Sequence, residues 1–189
     1  MLELHPQIIK NKAIVADDWS VLRPDETESP DTVVVPEGKI IVPLLVWQSQ
    51  REQLASRAEI GVWIGADERP EELKGELDKF AVIAVNFPKF TDGRGMSIAF
   101  NLRRRLGYTG ELRAIGDVLR DQLFSMHRVG FDAYAPRPDR NIEDALKGLF
   151  VFSETYQASI DQTQPLFRRV HRTAAVGNSV ENSDAGASL

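Results

Sequence analysis

The segment DGRG at positions 92–95 places an arginine between two glycines, directly before the pattern of an amphipathic helix. The first backbone amides of a helix have no partner within it, so an adjacent guanidinium can join them in binding phosphate, sulfate or carboxylate. Glycines permit the backbone angles that close approach to an anion requires, and the hydroxyl of Ser97 could cap the helix. In the alternative, purely structural interpretation, Asp92 forms an Asx turn and Arg94 pairs with Asp117.

Two more charged side chains follow segments that are typical of strands. Asp117 comes after ELRAIG and before a helical pattern, so it suits a general base at the rim of a sheet and also an N-cap. Arg137 lies between Pro136 and Pro138, whose restricted backbone would hold the guanidinium in place; a solvated loop arginine is the plainer interpretation. We take Asp117 as the catalytic candidate. The predicted anion-binding residues are Arg94, Arg137, Gly93, Gly95 and Ser97.

The middle of the chain is basic although the whole protein is acidic. Residues 89–140 contain ten Lys and Arg against six Asp and Glu, a charge of +4, whereas the formal charge of all 189 residues is −5. A local excess favours a confined anion site over general attraction to nucleic acid or a membrane, because long-range attraction follows the summed charge. We therefore predict a small oxyanion as ligand, and neither nucleic acid nor a membrane as partner.

The composition argues against intrinsic redox or metal chemistry. There is no cysteine, and the three histidines, His5, His127 and His171, include no pair four residues apart. The motifs GxSxG, GxxxxGK(S/T) and GxGxxG are absent. We predict no metal and no intrinsic cofactor. No apolar run is long enough to span a bilayer and the start, MLELHPQIIKNK, lacks the order of a signal peptide, so we expect a cytoplasmic protein.

Strand-like segments and amphipathic helices alternate from residue 40 onward. The nominal strand starts are Ile40, Ile60, Ala81, Glu111 and Asp132. Their intervals of 20, 21, 30 and 21 residues suit a strand, a short helix and two loops. The longest interval contains the loop NFPKFTDGRG, at the end of a strand where parallel α/β sheets bind ligands. We predict an α/β fold of βα units around a mainly parallel sheet of about five strands, either open or closed into a partial (β/α) barrel.

Residues 1–172 are expected to form a single domain, since a chain of this length and apolar content supports one core. Residues 1–38 form an N-terminal β extension, with strands in KAIVADDWSVL and DTVVVP, and residues 39–160 form the βα repeats. Residues 173–189 lack aromatic side chains and are rich in small polar ones, so they cannot bury enough surface to offset their ordering entropy. We predict that they form a mobile tail.

Three stretches of the sequence resemble a bacterial family of unknown function. They are FTDGRG, GYTGELRAIGDVLRDQL and RVGFDAY, and the likeness covers roughly Lys39 to Leu149. Members of that family are often labelled probable oxidoreductases and associated with sulfite reduction. The resemblance therefore implies a role in assimilatory sulfur metabolism, with sulfite reductase or another sulfate-assimilation enzyme as partner. The family's recurrent residues include three that would support the site, namely Asp92, Arg113 and Gln122.

The leading interpretation is a cytoplasmic accessory protein of assimilatory sulfite reduction, acting through a partner or small-anion site at the carboxyl rim of the sheet. A first alternative is a (β/α)-barrel-like enzyme acting on a phosphorylated or sulfated small molecule, with Asp117 as general base and Arg94 as anion clamp. A second is a non-catalytic interaction module whose charges pair among themselves. An enzyme requires an enclosed pocket at the rim, whereas an adaptor can present a flat patch.

Overall fold

The computed structural model describes residues 1–25 and 27–169, so the predicted mobile tail at 173–189 lies outside the described residues. The strands are β1 Leu2–Leu4, β2 Gln7–Lys10, β3 Ala13–Ala16, β4 Ser20–Leu22, β5 Ile40–Pro43, β6 Ile60–Ile64, β7 Val82–Phe87, β8 Glu111–Gly116 and β9 Ala133–Tyr134. The helices are α1 Leu44–Ser49, α2 Arg51–Leu54, α3 Arg94–Arg104, α4 Leu123–Arg128, α5 Ile142–Lys147 and α6 Leu166–Arg169. Short 3-10 turns lie at Pro70–Leu73, Leu77–Lys79, Arg120–Gln122 and Gly148–Phe150.

All nine strands join one sheet, in the order β1-β4-β5-β6-β7-β8-β9-β2-β3. Neighbours from β4 to β9 are parallel, β1 is antiparallel to β4, and the β2–β3 hairpin is antiparallel to β9. The α/β class is confirmed, but the sheet is larger than the predicted five strands. The connections are also less regular than βα repeats, because only 3-10 turns lie between β6 and β7, and the described residues between β4 and β5, 23–25 and 27–39, include no helix.

The sheet is curled into a half-barrel, as the connection between β1 and β2 requires. These strands lie seven positions apart in the sheet, a distance of about 34 Å if the sheet were flat. Only two residues, His5 and Pro6, separate the end of β1 from the start of β2, and three extended peptide units reach about 11 Å. The two sides of the sheet must therefore approach each other.

Apolar side chains pack on both faces of the curled sheet. Alternate residues of β7 show the division, with Ile83, Val85 and Phe87 on the outer face and Val82 and Ala84 on the inner one. The outer, convex face packs against the helices and holds most of the core. The inner, concave face has a smaller cluster that consists of Ile8, Val21, Ile41, Val82, Ala84, Ile115, Ala133 and Ala135.

The N-terminal β extension differs from its predicted form. Strands β3 and β4 fall within KAIVADDWSVL, but residues 31–36, DTVVVP, form no strand. The side-chain amide of Gln50 donates hydrogen bonds to the carbonyls of Pro30 and Val33, both at 2.8 Å. The carbonyls of Pro30 and Val33 thus have a side-chain partner and need none from a strand. The position beside β5 is occupied by β4, so residues 31–36 do not pair there.

None of the helices in the described part of the chain combines the length and the apolar character needed to cross a bilayer. The longest of them, α3, has 11 residues. Its buried side chains, among them Ile98, Ala99 and Leu102, lie on the side that packs against β7. The helix thereby fixes the direction of the loop that precedes it.

Candidate functional site

The loops that follow the parallel strands β6, β7, β8 and β9 form what we call the carboxyl rim, residues 65–69, 88–93, 117–119 and 135–141. Most of the side chains predicted to form the site lie on these loops or directly after them. In parallel α/β sheets this end of the strands is where ligands and partners are bound, because the loops there are free of the packing between strands and helices. We therefore expect a functional site, if it binds a ligand or a partner, to lie at the carboxyl rim.

The loop after β7, residues 88–93, is held in place at its tip. The backbone N–H of Phe90 donates to Asp117 Oδ2 at 2.8 Å, and its carbonyl accepts from Gln122 Nε2 at 2.6 Å. A turn within the loop adds a bond of 2.9 Å from the Asp92 amide to the Lys89 carbonyl. The side chain of Phe90 itself remains 49% exposed. We call residues 88–93 the Phe90 loop; it is a fixed loop with an aromatic side chain in solvent.

Asp117 is at the rim, as predicted, but it is not an N-cap. The next helical turn begins at Arg120, and the backbone N–H of Leu119 before it donates to Gln122 Oε1 at 3.1 Å. Asp117 instead uses Oδ1 to accept from Arg137 Nη1 at 3.1 Å and Oδ2 to accept from Phe90. Its role in the fold is to connect two loops of the rim, since both carboxylate oxygens have partners.

Arg94 and Arg137 are each neutralised by two carboxylates. Arg94 contacts Asp92 at 2.7 Å and also pairs with Asp67, whereas Arg137 pairs with Asp117 at 3.1 Å and with Asp139 at 2.8 Å. The hydrogen bonds from the Arg94 side chain lower the pKa of Asp92 to about 2. The purely structural interpretation expected Arg94 to pair with Asp117. Arg94 pairs with Asp92 and Asp67 instead. No contact joins Arg94 to Arg137 among the described residues, and their proposed shared anion site stays a prediction.

Anion binding by Gly93, Gly95 and Ser97 stays a prediction, and their local geometry differs from the one expected. Neither Gly93 nor Gly95 has a positive φ, so neither uses the conformational freedom of glycine. Gly95 is required for space instead, because a Cβ there would lie 2.6 Å from the ring of Phe87. Helix α3 begins at Arg94 with Gly93 at the N-cap position and no side-chain cap, so Ser97 is an exposed residue inside the helix.

Arg113, predicted as a supporting residue, lies on the concave face and not on the rim. It is the third residue of β8, and alternate residues of a strand point to opposite faces. Its guanidinium pairs with Asp17 at 2.8 Å and with Glu111 at 2.7 Å, and Glu111 also pairs with Lys10 at 2.7 Å. Only 1% of the Arg113 side chain and 2% of the Asp17 side chain are exposed. Arg113, Asp17 and Glu111 form a buried ion network between β8 and the segment after β3, and the half-exposed Lys10 of β2 joins it at its edge.

A second polar group on the concave face was missed by the sequence interpretation. Arg23, directly after β4, donates through Nε to Glu3 Oε2 at 2.8 Å and through Nη2 to Asn86 Oδ1 at 3.1 Å. Its guanidinium lies 4.9 Å from the ring centre of Trp63, and Glu3 Oε1 is 3.1 Å from His5 Nε2. The hydrogen bond with His5, supported by Arg23, lowers the pKa of Glu3 to about 2. We call these five residues the concave cluster.

The rim has an open groove of about 410 Å³ between the loops after β8 and β9. Its charged lining has two basic and three acidic residues. Arg120 pairs with Asp144 at 3.0 Å and Arg140 lies 3.5 Å from Asp139, whereas the exposed Asp121 has no ion-pair partner among the described residues. No group of three or more His, Asp and Glu side chains suited to a metal ion occurs within residues 1–25 and 27–169. The groove can thus receive a polar segment of a partner.

Comparison with known proteins gives a family and no function. Residues 61–167 match the family model described as a bacterial protein of unknown function, DUF934. The matched region covers more than half of the chain and contains the whole carboxyl rim. No curated protein and no solved structure matches the chain.

Proposed function

We propose, for a chain that belongs to the DUF934 family of bacterial proteins of unknown function, a role as a cytoplasmic accessory protein of assimilatory sulfite reduction. The pathway comes from the resemblance of FTDGRG, GYTGELRAIGDVLRDQL and RVGFDAY to proteins associated with sulfite reduction. The proposed partner is sulfite reductase or another sulfate-assimilation enzyme. The molecular act is binding of this partner through the carboxyl rim.

The fixed Phe90 loop is the observation that supports partner binding. An exposed aromatic ring whose backbone is already held by Asp117 and Gln122 loses little entropy when it enters a pocket. Aromatic anchors of this kind contribute most of the binding energy in protein interfaces. The ion pairs of Arg94, at the start of α3, and of Arg137, on the loop after β9, supply the polar surroundings that such an anchor requires.

A free small oxyanion at Arg94 and Arg137 is the second candidate. To bind there, an anion must replace a carboxylate that is already in contact with the guanidinium. Calorimetry with sulfite and sulfate on the wild type and on Arg94→Ala tests this candidate. Binding that depends on Arg94 would support it, whereas identical heats would assign these arginines to structure.

An enzyme acting on a phosphorylated or sulfated small molecule is less well supported. The rim groove is open, and both oxygens of Asp117 already accept hydrogen bonds that hold the loops of the rim together. A non-catalytic interaction module remains the nearest alternative, because it shares the docking surface and differs only in the pathway.

The decisive experiment compares Phe90→Ser with a matched exposed phenylalanine. Phe150 is 60% exposed, and its ring lies 6.0 Å from Lys12 Nζ in the β2–β3 turn, at the amino end of β9 and so opposite the carboxyl rim. Phe150→Ser therefore controls for general loss of apolar surface. Tagged wild type should capture sulfite reductase from sulfate-grown cells, and Phe90→Ser should bind it at least about thirtyfold more weakly, the effect of losing an anchor worth roughly 2 kcal/mol. Phe150→Ser should bind as the wild type does.

Growth connects this binding to the pathway. A strain lacking the gene should grow poorly on sulfate and normally on cysteine, and the Phe150→Ser gene should restore growth where the Phe90→Ser gene does not. Equal restoration by both variants would rule out the Phe90 loop as the functional surface. Capture of a different protein by the wild type would favour the interaction module outside sulfur metabolism.

A further inference from the structure

We propose that the concave cluster is a binding site for a small oxyanion, separate from the partner surface at the Phe90 loop and independent of it. The cluster lies at the carboxyl ends of β4, β6 and β7, on the inside of the half-barrel. Its members come from four strands or the residues next to them, so they meet only because the sheet is curled.

Arg23 has donors that the protein does not use. Nε donates to Glu3 and one N–H of Nη2 donates to Asn86, and no described residue accepts from Nη1 or from the second N–H of Nη2. Asn86 Oδ1 accepts from Arg23, and the Nδ2 of the same amide has two N–H donors with no partner among the described residues. Guanidinium and amide N–H groups side by side are the donors that bind oxyanions.

These unused donors face solvent. Among the described residues, the buried side-chain nitrogens and oxygens without a partner belong to Arg128 and Arg169 and not to the concave cluster. The Arg23 side chain is 25% exposed, so a ligand can reach it without displacing the core.

The charge of the cluster also differs from that of the rim. Arg94 and Arg137 are each bound by two carboxylates, whereas Arg23 is bound by Glu3 alone, and Glu3 is shared with His5. The cluster therefore has one guanidinium against one carboxylate, whereas each rim arginine meets two carboxylates. An anion arriving at Arg23 meets free donors and does not have to compete with a second carboxylate.

The guanidinium is held in a fixed orientation for such a ligand. It lies over the ring of Trp63, whose Nε1 donates to the Leu22 carbonyl at 3.0 Å. The bonds to Glu3 and Asn86 fix the guanidinium in its own plane. A planar cation with both its face and its edge fixed binds an oxyanion with little further loss of entropy.

The test uses sodium sulfate and sodium sulfite as probes, titrated into the whole protein at constant ionic strength and followed by calorimetry. The wild type should bind at least one of them at millimolar concentration. Both Arg23→Gln and Asn86→Ala should weaken binding at least about tenfold, since each removes donors to the anion. Arg51→Gln, which changes an exposed arginine of α2, should bind as the wild type does.

Two results would overturn the proposal. One is the absence of binding by the wild type up to roughly 50 mM of either anion, well above the millimolar range in which a site of a few hydrogen bonds should fill. The other is unchanged binding in Asn86→Ala. This variant keeps the Arg23–Glu3 pair, so it still tests the proposal if Arg23→Gln fails to fold. Loss of binding in Arg94→Gln alone would move the anion to the rim and likewise reject the concave cluster.

Discussion

The carboxyl rim and the concave face both pair arginines with carboxylates, but in opposite surroundings. Arg94 and Arg137 on the rim are 55% and 38% exposed, whereas Arg113 on the concave face is 1% exposed. Water screens the rim pairs, so they contribute little to stability and can rearrange when a partner binds. The buried pairs have lost their hydration, and removing one partner leaves an uncompensated charge. The rim is therefore suited to recognition and the concave face to holding a fixed geometry.

The largest effect is expected when Arg113 is removed. Arg113→Met leaves Asp17 and Glu111, which are 2% and 7% exposed, without the guanidinium between them. The free energy of unfolding should fall by about 3–5 kcal/mol, measured by urea denaturation. The control Arg51→Met removes an arginine that is 48% exposed and should change it by less than about 1 kcal/mol. Equal losses in the two variants would contradict the contrast between the two regions.

A second prediction tests whether the glycines at the start of α3 are needed because a side chain would clash or because of their backbone angles. Gly95→Ala places a Cβ 2.6 Å from the Phe87 ring, so the ring or the helix must move. The expected loss is about 1–3 kcal/mol, the usual effect of overpacking. Gly93→Ala is the matched control, because its Cβ meets nothing within 4 Å and its φ is −81°. Thermal melts that show the same loss for both alanines would mean that the packing against Phe87 is unimportant.

The third prediction concerns the connection between Asp117 and the Phe90 loop. Asp117→Ala removes the acceptor for the Phe90 amide and should cost about 1–2 kcal/mol, whereas Asp117→Asn keeps one acceptor oxygen and should cost less. Hydrogen exchange at the Phe90 amide should accelerate clearly in the alanine variant. Unchanged exchange there would show that Gln122 alone holds the loop.

In the same strains, growth on sulfate distinguishes positioning from charge at Asp117. If the residue only holds the loop, Asp117→Asn should support growth and Asp117→Ala should not. A folded Asp117→Asn protein that fails to restore growth on sulfate would instead indicate that the negative charge itself is needed.

The smallest predicted effect is a pH dependence in the concave cluster. The pKa of Glu3 is lowered from 4.5 to about 2 by His5 and Arg23, so the stabilisation by its charged form is complete above pH 4.5 and is lost as the pH falls towards 2. The stability difference between wild type and Glu3→Gln should therefore shrink between pH 4.5 and 2. The control Glu143→Gln changes an exposed glutamate of α5, and its stability difference from the wild type should not shrink between pH 4.5 and 2. A constant difference for Glu3→Gln would exclude the ion pair as its cause.

Much of the strand arrangement could be predicted from local patterns. The starts of β5 to β9 were placed within one residue, because each is a short buried run of β-branched and apolar side chains that ends in a polar turn. Strands β1 and β2 carry no comparable run and were not predicted. They form because the sheet offers them partners far away in the sequence, at β4 and β9.

The rim residues were found by their position in the chain, but their partners were not. The order of strand, loop and helix was enough to place Arg94 and Asp117 at the same end of the sheet. Which carboxylate meets which guanidinium depends on distances between loops 20 to 27 residues apart, as for Asp117 with Arg137 and Arg94 with Asp67. Those distances follow from the strand order and the curl, which no local pattern contains.

The concave cluster shows this limit most clearly. Nothing near Glu3 or Arg23 in the sequence marks either of them as part of a site, and Asn86 is 63 residues beyond Arg23. Local hydrophobic patterns decide which segments become strands and which face of each strand is buried. Closing the sheet on itself decides which polar side chains meet on the inside, because a two-residue connection between β1 and β2 forces the two sides of the sheet together.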